Sequence, residues 1–218
     1  MAYYLNIFIE KIVTLGGNMK TFQFPAIMIS SMAIATGVAG LIALIFIGLF
    51  FSIGGSFGTL NDIFNGLTAV LSILLAWMLF TNYQGKSIGS SLIFLVLAVI
   101  GTILAIVGSV LVISGKTGWY LAGLFTATGF GLIGLWLLRL NYAALRSNSL
   151  PQGLVILGIV CAVIMAIGLA GIPGMIRGTD INNYFPFTIN SLWQLAFLGI
   201  YVLYPIWCIW LGRILTLK

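Results

Sequence analysis

Few residues in this chain of 218 could carry out chemistry. There is no histidine, so no Ser-His-Asp triad, no Cys-His pair and no histidine ligand for haem, zinc or copper can be assembled. The only acids are Glu10, Asp62 and Asp180. None falls near the centre of an apolar stretch, which leaves a carboxylate proton relay of the usual intramembrane kind without a candidate. Paired-carboxylate hydrolysis needs two acids within about 10 Å. Only Asp62 and Asp180 could meet, and loop or cap positions suit both better. Gly85-Lys86-Ser87 and Gly115-Lys116-Thr117 end like phosphate-binding loops, but the glycine required five residues earlier is Phe80 in one and Val110 in the other. Cys161 and Cys208 lie inside apolar stretches, away from any C-x-x-C spacing, and read as buried structural thiols. No catalytic or metal-ligating residue is predicted, and the chain reads as a non-enzyme.

Polar residues inside apolar stretches are the remaining candidates, because they are costly in hydrocarbon and often functional. Asp62, Asn65, Thr68 and Ser72 fall on one helical stripe. Thr126 and Thr128 in a later stretch, and Gln194 and Tyr201 in the last, could join it in a small polar pocket. The competing expectation is that Asp62 and Gln194 cap helices while Asn65 and the hydroxyls bond neighbouring backbone. Arg139 and Arg146 share a face and suit contact with lipid headgroups. Pro205 sits mid-stretch, removing its own N–H and crowding the carbonyl of Tyr201, so a kink is expected there, with a hinge as the functional version of it.

The elements that would position these residues follow from composition. Hydrophobic residues make up 61% of the chain and charged ones 6%, with a net charge of +6 and a mean hydropathy of +1.21. A soluble domain carries roughly 25% charged residues, so soluble enzymes, disulfide scaffolds, disordered tails and nucleic-acid modules are excluded together. The hydrocarbon core takes about 20 helical residues per crossing. Six stretches fit: about 25–51, 60–82, 89–113, 119–144, 150–175 and 190–215. They lack the period-2 alternation of barrel strands, so an all-α polytopic bundle is expected over 18–218. Ser149-Leu150-Pro151-Gln152, Ser191-Leu192-Trp193-Gln194 and, more loosely, Thr59-Leu60-Asn61-Asp62 read as helix-start boxes. Gly115–Gly118 and Gly171-Ile172-Pro173-Gly174 read as helix ends.

Orientation comes from counting basic residues by side. With both termini cytoplasmic, the inner side holds Lys11, Lys20, Lys86, Arg139, Arg146, Arg213 and Lys218, and the outer side only Lys116 and Arg177. Residues 1–17 form a separate segment: Asn6, Glu10 and Thr14 share one face of a short helix suited to the cytoplasmic leaflet. Met1-Ala2-Tyr3-Tyr4 lacks the basic start of a secretory signal, and no cleavage is expected. The outer loop 176–189, with Tyr184-Phe185-Pro186-Phe187, would lie in the headgroup layer or against a partner.

Helices approach closely in lipid where small residues face each other. The fifth stretch carries Gly158, Ala162, Ala166, Ala170 and Gly174 at four-residue spacing, and the first carries Ser31, Ala35, Ala39 and Ala43. Such stripes serve a compact bundle or docking on a neighbouring protein, and the sequence leaves both open. Gly129–Asn141 and Leu150-Pro151-Gln152-Gly153 with Gly171–Gly174 resemble the uncharacterised multi-pass bacterial membrane proteins grouped as domains of unknown function. That resemblance covers the C-terminal half and implies a bacterial six-helix membrane protein, with no active-site pattern to carry over. The expected role is an accessory or structural subunit docked laterally in a larger complex of the cell (inner or plasma) membrane. The alternative is a small transporter or channel for a neutral or lipid-like molecule, which requires a water-accessible cavity reaching about mid-membrane. Expected partners are membrane lipids, anionic on the inner leaflet, and other integral membrane subunits, with no nucleic acid. No cofactor is predicted beyond bound lipid; pigment and quinone are left open.

Overall fold

The computed structural model describes residues 23–82, 88–180 and 189–217. The expected interfacial helix of 1–17, Gly85-Lys86-Ser87 and the Tyr184–Phe187 cluster lie outside the described residues. The described chain is all-α, and six of its helices are long and apolar enough to cross a membrane. The protein is a polytopic membrane protein.

The first span is α1 (Ala26–Ile53), entered from Pro25, whose carbonyl accepts from the Met28 amide at 2.9 Å. It runs two residues beyond the expected end and closes at Gly54 and Gly55, both in the left-handed region (φ +78° and +72°) that side chains avoid. That tight turn starts α2 at Phe57 (Phe57–Asn82). Thr59 and Asp62 therefore lie within the helix, and the expected cap at Thr59–Asp62 does not form. Next come α3 (Ile88–Ile113) and α4 (Trp119–Ser147). Gly115 (φ +67°) ends α3 as expected, with the Lys116 amide reaching back to the Leu111 carbonyl. The Asp180 carboxylate accepts from the Gly118 and Leu121 amides, so this acid caps α4 from the far end of the fifth span.

The fifth and sixth spans are not uniform helices. The fifth comprises α5 (Gln152–Ala166), a 3₁₀ segment (Ile167–Gly171) and α6 (Ile172–Ile176). Its expected helix-start box does not form, because Pro151 takes the N-cap and the Ser149 amide instead closes α4 on the Ala144 carbonyl. Nor does the chain stop at Gly171–Gly174. Pro173 sits in the first turn of α6, where its missing N–H costs nothing, and the end falls at Gly178 (φ +62°). The sixth span passes from a 3₁₀ turn (Ile189–Leu195) through α7 (Ala196–Leu198) and a π-helical turn (Gly199–Leu203) into α8 (Tyr204–Thr216). Pro205 begins α8, and the wide turn before it absorbs the lost hydrogen bond.

Each span packs on the next and the sixth returns to the first, so the helices form a ring in chain order. The fourth span is the most enclosed and the first the least. Glycines set the spacing. A Cβ at Gly101 of α3 would collide with the Gly129 carbonyl of α4, and the reverse holds for Gly129, so only glycine lets these backbones touch. Large side chains from several spans, including Leu75, Phe130, Leu137, Tyr204 and Trp207, fill the interior.

Candidate functional site

Toward the end of the bundle that holds the α1–α2 turn, the polar stripe of α2 meets the π turn of the sixth span. Asn61 Nδ2 donates to the Ala43 carbonyl of α1 at 2.9 Å and to the Tyr201 hydroxyl at 3.2 Å. Asn65 Nδ2 donates to Asn61 Oδ1 at 3.0 Å and to the Tyr201 hydroxyl at 2.8 Å. Tyr201 points its own hydrogen at Asn61 Oδ1, 3.4 Å away. All three side chains are buried. One turn of helix thus ties three spans together through a single phenol.

A cleft lies over this cluster, walled by Asp62, Trp119, Thr126, Phe197 and Ile47. Its volume of about 10 Å³ is room for about one water molecule. Asp62 is half-buried in it, and among the described residues no donor reaches its carboxylate. Below the cluster the polar contacts continue along the sixth span. The Tyr204 hydroxyl donates to Ser72 Oγ at 2.9 Å, and Ser72 donates to the Thr68 carbonyl. Trp207 Nε1 donates to Asn141 Oδ1 at 3.3 Å, while Asn141 Nδ2 donates to the Leu137 carbonyl. Tyr201, Tyr204 and Trp207 form a polar seam that links the sixth span to α2 and α4 through the interior of the ring.

Of the residues expected to form a pocket, Asp62, Asn65 and Tyr201 come together at the cleft. Thr68 and Ser72 lie deeper, each donating to the carbonyl one turn back. Gln194 is exposed and outside the cleft walls. Thr126 lines the cleft, and Thr128 turns toward the Gly168 carbonyl. Asn61 and Asn141 were not singled out by the sequence. Asn61 could have been found as one turn before Asn65; Asn141 carries no such signal except a glycine, Gly158, placed to make room for it.

The small-residue stripe of the fifth span faces inward. A Cβ at Gly158 would overlap the Asn141 carboxamide, the Ala162 carbonyl and Ala166 amide crowd Gly134 of α4, and Gly174 faces Leu124. Ala170 is exposed; the 3₁₀ segment shifts the phase so that Gly168 and Gly171 take the buried positions. The stripe of α1 divides: Ala39 and Ala43 are buried, Ser31 and Ala35 exposed. Pro205 is buried against α1, where a Cβ at Gly40 would meet its ring at 2.7 Å. Arg139 is half-buried and Arg146 exposed toward the C-terminal end of α4, with the Arg146 guanidinium 4.6 Å over the Tyr142 ring. Cys161 and Cys208 are buried free thiols.

Comparison of the chain with protein-family models, with curated proteins and with solved structures finds no match. The site therefore stands on its own geometry.

Proposed function

We propose that the protein is a non-enzymatic accessory or structural subunit, held laterally within a larger assembly of the plasma membrane. The observation that supports this reading is the closed interior of the ring. Directly beneath the one-water cleft, Asn61, Asn65 and Tyr201 bond to one another, and Tyr204, Trp207 and Phe130 fill the space below. A carrier for a neutral or lipid-like molecule would have to part that seam over its whole length. Exposed small residues of α1 include Ser31, Ala35, Gly48 and Ser52. Close helix approach in lipid favours such a face. The test is extraction of the native membrane in mild detergent, native separation and mass spectrometry of what co-migrates. Stoichiometric co-migration with other integral subunits is expected. A chain that runs alone or as a small homo-oligomer overturns the reading.

A further inference from the structure

We propose that the cleft of Asp62, Asn65 and Trp119 is a binding site for a primary ammonium group. This stands apart from the subunit reading, since it concerns only what the cleft can hold. The argument starts from the hydrogen inventory. Both amide hydrogens of Asn61 are in use, on the Ala43 carbonyl and the Tyr201 hydroxyl. Both of Asn65 are in use, on Asn61 Oδ1 and the same hydroxyl. Tyr201 directs its hydrogen to Asn61. What the cluster leaves over are acceptors: among the described residues nothing donates to Asn65 Oδ1 or to either Asp62 oxygen. Asp62 and Asn65 are three apart on one helix, so their side chains are neighbours on its surface, and both line the cleft.

Among the described residues no side-chain cation offsets the charge of Asp62. Among the described residues Asp62 has no ion pair, and the two basic residues toward this end, Lys116 and Arg177, are exposed. A carboxylate withdrawn from water without a counter-charge is unfavourable. An ammonium group answers with three donors and a positive charge. Trp119, held edge-to-face by Phe51 at 5.9 Å, supplies an aromatic wall of the kind that attracts organic cations.

Donor count then selects the class. An –NH₃⁺ group brings three N–H donors to these acceptors, and a trimethylammonium group brings none. The site should therefore take ethanolamine and reject choline. The same chemistry is offered by a free small amine or by the headgroup of phosphatidylethanolamine, since both present an –NH₃⁺ group.

The test uses the full chain in nanodiscs. In one arm the discs are pure phosphatidylcholine and are titrated with ethanolamine, choline or sodium chloride at matched ionic strength, reading thermal unfolding and tryptophan fluorescence. In the other arm discs of mixed phosphatidylethanolamine and phosphatidylcholine are analysed by native mass spectrometry for retained lipid. A saturable response to ethanolamine identifies a soluble amine; selective retention of phosphatidylethanolamine without that response identifies the headgroup. Either supports the proposal if Asp62→Asn weakens it by about tenfold or more, as loss of a charged hydrogen-bond partner implies. The proposal fails if neither arm responds, if choline or sodium matches ethanolamine, or if Asp62→Asn leaves the response unchanged. Should Asp62→Asn not fold, the ethanolamine-against-choline comparison on the unaltered protein decides.

Discussion

Tyr201→Phe removes one oxygen from the centre of the cluster and leaves the ring in place. Two amide hydrogens lose their acceptor: that of Asn65, now at 2.8 Å, and that of Asn61, at 3.2 Å. Each amide keeps one further bond, to Asn61 Oδ1 and to the Ala43 carbonyl. Hydrogen bonds between membrane helices average about 0.6 kcal/mol and reach about 1.7 kcal/mol, so the pair is worth about 1–3 kcal/mol. A water entering the enlarged cleft would bring the loss toward the lower figure. Tyr204→Phe is the internal control. Its hydroxyl makes one such bond, 2.9 Å to Ser72, and Ser72 keeps the Thr68 carbonyl; the expected loss is about half as large. Reversible unfolding in bicelles by steric trapping measures both variants against the parent chain. Tyr201→Phe as stable as the parent, or less damaging than Tyr204→Phe, refutes the account of the cluster as a joint between three spans.

Gly158→Ala places a methyl group on the Asn141 carboxamide, which must then give up its bonds to Leu137 and Trp207; overpacking of this kind costs about 1–3 kcal/mol. Adding Asn141→Ala should recover part of the loss, and a double-mutant cycle that comes out additive would contradict the contact. A Cβ at Gly48 would meet nothing within 4 Å, and the position is exposed, so Gly48→Leu should unfold within about 0.5 kcal/mol of the parent. The same variant should abolish co-migration with the larger assembly, and native separation showing it still bound would remove the outward face of α1 from the docking surface.

The six spans are legible in the sequence because lipid admits few alternatives: long apolar runs broken by glycine and polar turns leave the backbone no choice but helices. Boundaries depend on finer geometry. The start of α2 is set by two glycines in left-handed conformation rather than by Thr59, and a pattern of cap residues does not reveal which turn will form. The fifth-span stripe is legible as far as Ala166, where the helix tightens into a 3₁₀ segment; a four-residue period assumes a helix that stays regular, so it picks out Ala170 and misses Gly168. The polar stripe of α2 is legible as a stripe. Its partner is not, because Tyr201 and Tyr204 both turn inward only where Pro205 forces a π turn, and a lone proline announces a kink without saying how the turn before it widens. Asn141 carries no charge or periodicity to mark it in the sequence, yet its buried amide meets Gly158 and bonds Trp207.

The same π turn decides how far the site can move. Opening the cleft at Tyr201 breaks its bonds to both asparagines, and about 1–3 kcal/mol for the two it accepts corresponds to an open population between about one molecule in six and one in 160. Swinging the sixth span about Pro205 asks for more. The proline ring would have to leave Gly40, Tyr204 would have to release Ser72, and Trp207 would have to release Asn141. Ser30, bonded to the Gly212 carbonyl at 2.8 Å, fastens the remainder of α8 to α1. The contacts above and below the proline therefore oppose a hinge, while those at the cleft permit local opening. A small cationic group can enter and leave where Asp62 waits, but a path through the ring would require every member of the seam to part together. The polar residues of this bundle are arranged to bind at one end and to hold the rest shut.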